Sequence, residues 1–403
     1  MYKILQINCV YDYGSTGEIT KRLHREVSKY GFQSVVLYGR REKVNEANVL
    51  KTCSELEAKA NNLISRLTGR PYAVSPFGTK QLIEQLNKEK PDIVHLQCIN
   101  GFFVNIYDLL KYLKRMRIPT VLTLHAEFMY TGNCGHAINC EEWKSGCVRC
   151  PDIYKAIHSL YFDTAHKNWM DMKSAFDGFD NLYICAVSDW VKMRAKQSPV
   201  LNQYHIQTIL NGIETKIFSY REKEVGHFKR SNNLQEKKII LHVTADFQNQ
   251  IKGGKYINAL SNYLDPEKYA VIVVDGNDNN KPEEFQGIYW GRAKSQEELA
   301  VLYSVADVTV LTSERETFSM VCAESLCCGT PVIGFRAGAP EMIALADYSE
   351  FIEYGKTDEL CKLVEKWTSS CKDAKTISEN AYKKYGVKSM VDNYCSLYQR
   401  ILL

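Results

Sequence analysis

The chain has 403 residues, of which 45% are hydrophobic and 24% charged, and its formal net charge at pH 7 is +4. This length exceeds one ordinary hydrophobic core and predicts two or three domains of globular composition. The small net charge gives no indication of nucleic-acid binding, and no apolar run approaches the roughly 18 residues of a membrane-spanning helix.

The first half of the sequence alternates predicted strands with predicted helices. It begins with the mostly apolar run YKILQINCV, typical of a buried parallel strand and unlike a secretory signal, so we expect a cytoplasmic protein. GSTG follows, and then EITKRLHREVSKYG, which has helical spacing and ends at Gly31. Further strands are predicted at QSVVLYG, PDIVHLQ, PTVLTLH and NLYICAVS, with helices such as IYDLLKYLKRM between them. Such repeated strand–helix units predict a parallel sheet with helices on both faces.

The alternation restarts after the polar stretch at 229–237, which predicts a linker or surface loop. The later strands are predicted at KIILHVTA, YAVIVVDGN, IYWGR, ADVTVLTS and TPVIGF. We therefore predict an α/β protein with doubly wound domains at 1–205 and 206–385, followed by a helical segment at 386–403. Ligands of such sheets bind beyond the carboxyl ends of the strands, so two facing sheets would define one interdomain cleft.

Residues at these predicted strand ends fit ligand binding. Gly14 and Gly17 would let a ligand approach the backbone, and the helix that follows offers free amides to an anion. His125 ends PTVLTLH, where an imidazole can donate a proton or hydrogen-bond a sugar hydroxyl. Lys252, in NQIKGG, suits a pyrophosphate as a point charge. A tight turn, a structural histidine and a solvated surface lysine are the respective alternatives.

The stretch ERETFSMVCAESLCCGT at 314–330 places two carboxylates across a strand-to-helix turn. Glu316 lies in the loop, and Glu324 lies on about the second turn of a helix that Ser319 caps and Gly329 ends. Such a pair suits acid–base catalysis or the binding of hydroxyl groups, and the free amides of the helix start suit an anion. A nucleotide-activated sugar carries hydroxyls on both sides of its phosphates and would satisfy all these features.

Four of the 14 cysteines lie close together in CGHAINCEEWKSGCVRC, namely Cys134, Cys140, Cys147 and Cys150. Thiolates with polar and glycine spacers predict a tetrahedral zinc site, for which His136 is a substitute ligand. All ligands would come from the protein, so the metal would be structural and would fix the loop after His125. Reduced thiols and a redox pair are the alternatives.

The segment ERETFSMVCAE is similar to the E-x-F-G-x-x-x-x-E signature of family-4 retaining glycosyltransferases. Glu316, Phe318 and Glu324 are in register, and Ser319 stands where the family usually has glycine. The resemblance covers essentially the whole chain, because GSTG, TLH, AVSDW, ILNGIETKIF, IKGG and GTPVIGFRAGAPE occur in the family's order. The region from TLHAEFMYTGNCGH to GCVRCP further resembles a bacterial subgroup of capsule and surface-polysaccharide enzymes.

This resemblance implies a GT-B fold, with two Rossmann-like domains facing a cleft and a C-terminal helix that crosses back to the first domain. It implies that Glu316 binds hydroxyls of the transferred sugar, that Glu324 binds the ribose, and that His125 lies near the reacting end of the sugar. The residues implied for the phosphates of a nucleotide-diphosphate sugar are Gly14, Gly17, Lys252, Thr317, Phe318 and Ser319. The implied acceptor is a glycan or a polyprenyl-linked sugar, and no metal ion is needed for catalysis.

The sequence departs from the family at two places. No arginine precedes Lys252 in VTADFQNQIK, which leaves this lysine alone or assisted by another base such as Arg292. Ala126 replaces the aspartate that often follows the strand-end histidine, and Glu127 is the nearest acid. These departures keep a non-catalytic nucleotide-sugar-binding protein as an alternative function. A nucleotide-sugar epimerase on the same fold is a second alternative, which no feature of the sequence favours.

A lipid-linked acceptor would require contact with the inner face of the membrane. LLKYLKRMR places Lys111, Lys114, Arg115 and Arg117 beside apolar residues, and IHSLYFDTAHKNWMDMK combines aromatic residues with lysines. These segments predict weak, salt-sensitive attachment to anionic lipid. Ordinary amphipathic helices packed on a sheet are the alternative.

Overall fold

The chain folds as two compact units in the computed structural model, which describes residues 1–277, 282–370 and 373–403. The first unit comprises Met1–Leu210 and Val391–Leu403, and the second comprises Asn211–Met390. Both boundaries lie slightly later than the predicted ones at 205 and 385. One reason is that Ile206–Thr208 adds an edge strand to the first sheet, and the other is that Gly386 pairs with Ile213 in the second unit.

The first unit, whose residues are all described, is built on a parallel sheet. Its strands are β1 (Tyr2–Asn8), β2 (Phe32–Tyr38), β3 (Val49–Lys51), β4 (Ile93–Leu96), β5 (Thr120–Leu124), β6 (Leu182–Ala186) and β7 (Ile206–Thr208). They lie in the order β3-β2-β1-β4-β5-β6-β7. Central strands β4 and β5 are buried along their whole length, as parallel strands covered on both faces are.

The helices of this unit cover both faces of its sheet. They are α1 (Gly14–Glu26), α2 (Glu55–Thr68), α3 (Pro76–Glu89), α4 (Ile106–Arg115), α5 (Phe128–Thr131), α6 (Ile153–Ile157), α7 (Ala165–Phe176) and α8 (Asp189–Lys196). Helix α1 begins at Gly14, so GSTG forms the first turn of the helix and not the separate loop that we expected. Glycine suits the start of this helix because Gly14 has a φ of 61°, which glycine adopts without strain.

The second unit repeats the architecture. In its described part the strands are β8 (Lys238–Thr244), β9 (Tyr269–Asp275), β10 (Ile288–Gly291), β11 (Val308–Leu311), β12 (Val332–Phe335) and β13 (Ser349–Ile352). They form a parallel sheet in the order β10-β9-β8-β11-β12-β13. The helices are α9 (Glu222–Ser231), α10 (Gly254–Tyr263), α11 (Gln296–Val305), α12 (Met320–Cys327), α13 (Pro340–Ile343), α14 (Thr357–Ser369) and α15 (Ala374–Tyr385).

The last helix, α16 (Val387–Leu402), ends in the first unit. There the Tyr394 hydroxyl lies 2.9 Å from Thr123 Oγ1, and the Tyr398 hydroxyl lies 2.7 Å from His95 Nδ1. His95 is buried, as expected for a structural histidine. The return of the chain to its first unit is the feature that the family resemblance implies.

The predicted strands are observed and the doubly wound α/β fold is confirmed, with two kinds of error. Strands β3, β7 and β13 were not expected, and the predicted linker at 229–237 begins inside α9, which ends at Ser231. Among the described helices, none combines the length and apolar character needed to cross a bilayer.

Candidate active site

In the second unit, two loops bring Lys252 beside the acidic stretch. Lys252 ends a 3-10 turn, Gln250–Lys252, that follows β8. Gly253 then adopts a φ of 71°, and a Cβ atom there would lie 2.1 Å from the carbonyl oxygen of Thr312. Glycine therefore lets the lysine loop lie against the end of β11, where Thr312 Oγ1 donates to the Lys252 carbonyl at 2.9 Å.

Glu316 is fixed by its backbone and paired by its side chain. Its amide donates to the Ala337 carbonyl at 2.9 Å, and the Ala339 amide donates to the Glu316 carbonyl at 3.1 Å. Its Oε1 lies 2.7 Å from Lys252 Nζ. The two side chains retain 21% and 31% exposure respectively, so the pair is well positioned and also accessible to a ligand.

The start of α12 follows directly. Ser319 has φ 77° and ψ 90°, and its Oγ accepts a hydrogen bond from the Cys322 amide at 3.3 Å. This positive φ explains why the related signature usually has glycine here. Phe318 is buried and anchors the turn, and Thr317 connects it to Glu316. The first amides of α12 lack intrahelical partners and can receive an anion.

Glu324 lies on the second turn of α12, as predicted. The Tyr303 hydroxyl donates to Glu324 Oε2 at 3.1 Å, and burial raises the pKa of Tyr303 well above its ordinary value, so the phenol stays a neutral donor.

An open cavity of 760 Å³ lies at the carboxyl ends of β8 and β9, and Leu299, one turn before Tyr303 on α11, lines it. Arg292 and Lys294 also line it, which places two cations in a cavity large enough for a nucleoside.

In the first unit, His125 follows β5 and belongs to a chain of buried polar side chains. Its Nε2 lies 2.8 Å from Gln97 Oε1, and Gln97 Nε2 donates to Gln6 Oε1 at 3.1 Å. Because the Gln97 nitrogen is the donor in the second bond, its oxygen accepts in the first, which assigns the imidazole proton to Nε2. Burial lowers the pKa of His125 to about 4, so the ring is neutral at pH 7.

Gly14 and Gly17 lie at the carboxyl end of β1. Gly14 has a φ of 61°, in the left-handed region that favours glycine. A Cβ atom at Gly17 would lie 3.2 Å from the Asp12 amide nitrogen. Packing against the preceding loop is therefore one reason for glycine at this position, in addition to the phosphate role that the resemblance implies.

Comparisons with known proteins agree with this arrangement. The family descriptions "Glycosyltransferase Family 4" and "Glycosyl transferases group 1" match residues 17–217 and 227–384. The chain belongs to glycosyltransferase family 4. One relative is the putative colanic acid biosynthesis glycosyl transferase WcaC of Escherichia coli, which is 20% identical over an alignment spanning 99% of this chain and 100% of WcaC.

Solved structures similar to this glycosyltransferase share its fold. WaaG, a glycosyltransferase involved in lipopolysaccharide biosynthesis, aligns with a TM-score of 0.66 at 14% identity, over 98% of this chain and 99% of WaaG. HepE of Anabaena in complex with UDP aligns with a TM-score of 0.64 at 13% identity, over 99% of this chain and 100% of HepE. A further HepE structure contains UDP-glucose and has a TM-score of 0.63. These likenesses show the GT-B fold.

Glu127 of the glycosyltransferase is buried and stabilises the fold. It is completely buried, and its Oε1 lies 2.7 Å from Arg194 Nε. The Tyr130 hydroxyl and the Ala137 amide donate to the same carboxylate, and the Arg194 guanidinium lies 4.9 Å from the ring centroid of Trp143. Glu127 therefore anchors the cysteine-rich loop and does not replace the aspartate that the subgroup carries after His125. Sequence reasoning missed Arg194 because it stands 67 positions away.

The four cysteines of that loop are neighbours in the glycosyltransferase. Burial, followed by the nearby Cys147, Cys150 and Cys140, raises the pKa of the Cys134 thiol, and burial raises that of Cys147 to about 12. Within residues 1–277, 282–370 and 373–403, no group of three or more His, Cys, Asp or Glu side chains is arranged to hold a metal ion. The thiols would have to draw closer around zinc, so the zinc site stays a prediction.

Proposed function

We propose that this glycosyltransferase moves a sugar, with retention of configuration, from a nucleotide-diphosphate sugar to a glycan or polyprenyl-linked acceptor in surface-polysaccharide biosynthesis. The observation that carries the proposal is the 2.7 Å ion pair between Lys252 and Glu316, just before the start of α12. A cation suited to a diphosphate and a carboxylate suited to sugar hydroxyls stand together there. The names of WcaC and WaaG support a role in surface polysaccharide, and the HepE complexes support a nucleotide-sugar donor.

The donor-side roles follow from the chemistry of each group. Glu316 binds hydroxyls of the transferred sugar, and Glu324, oriented by Tyr303, binds the ribose. Lys252 and the amides of 317–319 neutralise charge on the leaving diphosphate. Arg292 takes the place of the arginine that other family members carry before this lysine and that this chain lacks. The leaving phosphate helps to deprotonate the acceptor hydroxyl as it attacks from the same face, so the reaction requires no metal ion.

The first unit contributes residues at the carboxyl edge of its sheet. His125, held neutral by burial, hydrogen-bonds near the reacting end of the sugar. Gly14 and Gly17 let a phosphate approach the backbone of the β1–α1 turn. Zinc bound by Cys134, Cys140, Cys147 and Cys150 would serve the structure of the adjoining loop and take no part in the reaction.

We also propose a peripheral position at the inner face of the membrane, but the surface differs from the expected one. The apolar residues predicted to face lipid on α4 are buried in the first unit: Leu109, Leu110, Tyr112 and Leu113. Trp169 is buried as well. Helix α4 therefore offers lipid only its charges, whereas Tyr161 and Phe162 remain exposed.

The deciding experiment is a screen of nucleotide sugars with the purified chain. UDP-sugars are tested first, followed by GDP- and dTDP-sugars, and each is scored by thermal shift, slow donor hydrolysis and transfer to a bacterial lipid extract. A donor that stabilises the chain and is transferred would support the proposal, and Glu316→Gln should abolish the transfer. Stabilisation without hydrolysis or transfer favours a nucleotide-sugar-binding protein, and recovery of an epimeric nucleotide sugar favours an epimerase.

A further inference from the structure

A second cavity lies wholly within the first unit, at the sheet edge that also carries His125. Its volume is 440 Å³. Asn100 and Gly101 come from the loop after β4, and Asn133 comes from the loop after β5. The polar residues that line it are Asn62, Arg66, Asn100, Asn133, Lys155 and His158.

Two buried polar atoms in this cavity have no hydrogen-bond partner among the described residues. They are Arg66 Nε and Asn133 Oδ1. Asn133 is 1% exposed, and its Nδ2 donates to the Ala165 carbonyl at 2.9 Å, which orients the amide and leaves the oxygen unpaired. An unpaired buried polar group is unfavourable, so both atoms favour a ligand that supplies an acceptor to Arg66 and a donor to Asn133.

The cavity is cationic in character. Arg66 and Lys155 line it, and none of its lining residues is acidic. Lys155 also lies 3.6 Å from Asp152, an exposed pair that gives way to a stronger anion at little cost. Guanidinium and ammonium groups around one cavity favour a phosphate or carboxylate ligand.

Exposed apolar side chains flank this cationic cavity. Asn62 and Arg66 lie one turn apart on α2, and Leu63 and Leu67 occupy the next positions, with 58% and 42% exposure. The segment 160–162 lies against the same helix, because the Leu160 amide donates to the Arg66 carbonyl at 2.9 Å.

Two aromatic side chains extend this surface. Tyr161 and Phe162 are 70% and 59% exposed, and their ring centroids are 6.3 Å apart. We call Leu63, Leu67, Leu160, Tyr161 and Phe162 the apolar rim. A cluster of exposed apolar residues beside a polar cavity marks a binding surface more often than a chance exposure.

We infer that this cavity binds the phosphate of the acceptor, and that the apolar rim contacts the apolar chain that carries this phosphate. The inference rests on the proposed function, because it names the acceptor class of that reaction. Arg66 and Lys155 pair with the phosphate, Asn133 accepts a hydroxyl of the first sugar, and the rim meets lipid where aromatic residues are favoured. The cavity lies at the same edge of the sheet as His125, so the acceptor sugar would stay at the edge where the proposed reaction occurs.

The test measures binding by calorimetry, with farnesyl diphosphate as the probe and UDP present in excess to occupy the donor site. Farnesol lacks the diphosphate group, and inorganic pyrophosphate lacks the farnesyl group. Each should therefore bind at least about tenfold more weakly than farnesyl diphosphate. Arg66→Gln combined with Lys155→Gln should weaken farnesyl diphosphate binding by about tenfold or more. Tyr161→Ser combined with Phe162→Ser should weaken farnesyl diphosphate binding but leave pyrophosphate binding unchanged. Lys59→Gln, at an exposed position of α2 outside the cavity, is the matched control.

Several results would overturn the inference. If farnesol binds as tightly as farnesyl diphosphate, the cavity does not recognise the phosphate. If pyrophosphate binds as tightly, the apolar rim does not contact the farnesyl group. If the Arg66 and Lys155 variant keeps its affinity for farnesyl diphosphate, the ligand does not bind in this cavity. UDP affinity checks that each variant is folded. Failure of the proposed function can be distinguished from failure of this inference. If the protein binds farnesyl diphosphate through Arg66 but transfers no sugar, the proposed enzymatic function is wrong and the assignment of the cavity still holds.

Discussion

Lys252 Nζ lies 2.7 Å from Glu316 Oε1, although the two residues come from loops 64 positions apart in the chain. The lysine therefore orients the carboxylate that we assign to the transferred sugar, and the carboxylate holds the ammonium group that we assign to the diphosphate. Removing either charge changes the surroundings of the other, so the two residues should act as a unit.

The acidic residues are expected to differ in their kinetic effects. Glu316→Gln should lower kcat by about 100-fold or more, because the carboxylate meets the sugar as positive charge develops at the reacting carbon. Glu324→Gln should raise the donor KM by about tenfold with little change in kcat, because the ribose is remote from that carbon. Initial rates with the donor found in the screen measure both. Glu359→Gln, at an exposed position of α14, is the control, and equal, small effects of the two active-site changes would contradict these roles.

Lys252→Gln is expected to weaken UDP binding by about tenfold, because it removes a charge-assisted hydrogen bond worth about 1.5–3 kcal/mol. Combined with Glu316→Gln, the change in UDP affinity should differ from the product of the single changes, since each substitution removes the other's partner. Calorimetry with UDP measures all three variants, with exposed Lys255→Gln as the control. Strictly multiplicative changes would show that the ion pair does not couple the two residues.

The donor side was more predictable than the acceptor side for a physical reason. Glu316, Ser319 and Glu324 lie in one strand–turn–helix segment, where local periodicity and capping place the side chains. Lys252 could be added because strand ends of a parallel sheet meet at one edge. The pairing of Glu127 with Arg194 on α8 joins residues 67 positions apart, for which the sequence carries no local signal. The apolar stripe of α4 would look the same on a sheet or on lipid, and only its burial distinguishes the two.

We expect the purified protein to contain about one zinc per chain. Cys134→Ser or Cys147→Ser should each release the metal and lower the thermal midpoint, because four thiolates close a structural site and loss of one opens it. Elemental analysis of protein prepared without added metal is the measurement, and Cys361→Ala, at a buried position of the second unit, should keep the zinc. Well-folded protein without metal would reject the site, and chelation that abolishes chemistry in the folded chain would contradict a purely structural role.

The first unit should lose stability as the pH falls from 7 to 5. Burial lowers the pKa of His125 to about 4 and, with the nearby His125, that of His95 to about 3, whereas an unfolded histidine titrates near about 6.5. Below pH ~6.5 the unfolded chain therefore binds more protons than the folded chain. Each histidine then lowers the free energy of unfolding by roughly 1.4 kcal/mol per pH unit, until the pH reaches its pKa in the folded state.

The measurement is hydrogen exchange of β4 and β5 amides at pH 7 and pH 5, corrected for intrinsic exchange rates. His95→Gln keeps a hydrogen-bonding side chain beside Tyr398 and should reduce the loss of protection between the two pH values. His205→Gln, at an exposed position of the same unit, should leave that loss unchanged. Carboxylates also destabilise the chain on acidification, so the difference between the two variants is the diagnostic quantity, and identical pH slopes would contradict the assignment.

Attachment to anionic vesicles is expected to have a salt-sensitive part that depends on α4 and the residues after it. Lys111, Arg115 and Arg117 are exposed and Lys114 is half-buried, while the apolar face of the helix is buried in the first unit, so this region can attract lipid only through charge. Each base near an anionic surface contributes about 1 kcal/mol, and salt screens that attraction. Changing Lys111, Lys114, Arg115 and Arg117 to glutamine should therefore lower co-sedimentation at low salt and leave the residual binding at high salt unchanged.

A control variant with the same loss of charge replaces exposed lysines of the second unit: Lys255, Lys268, Lys356 and Lys362. If that control loses as much binding as the α4 variant, the attraction reflects net charge alone and α4 has no special place at the membrane.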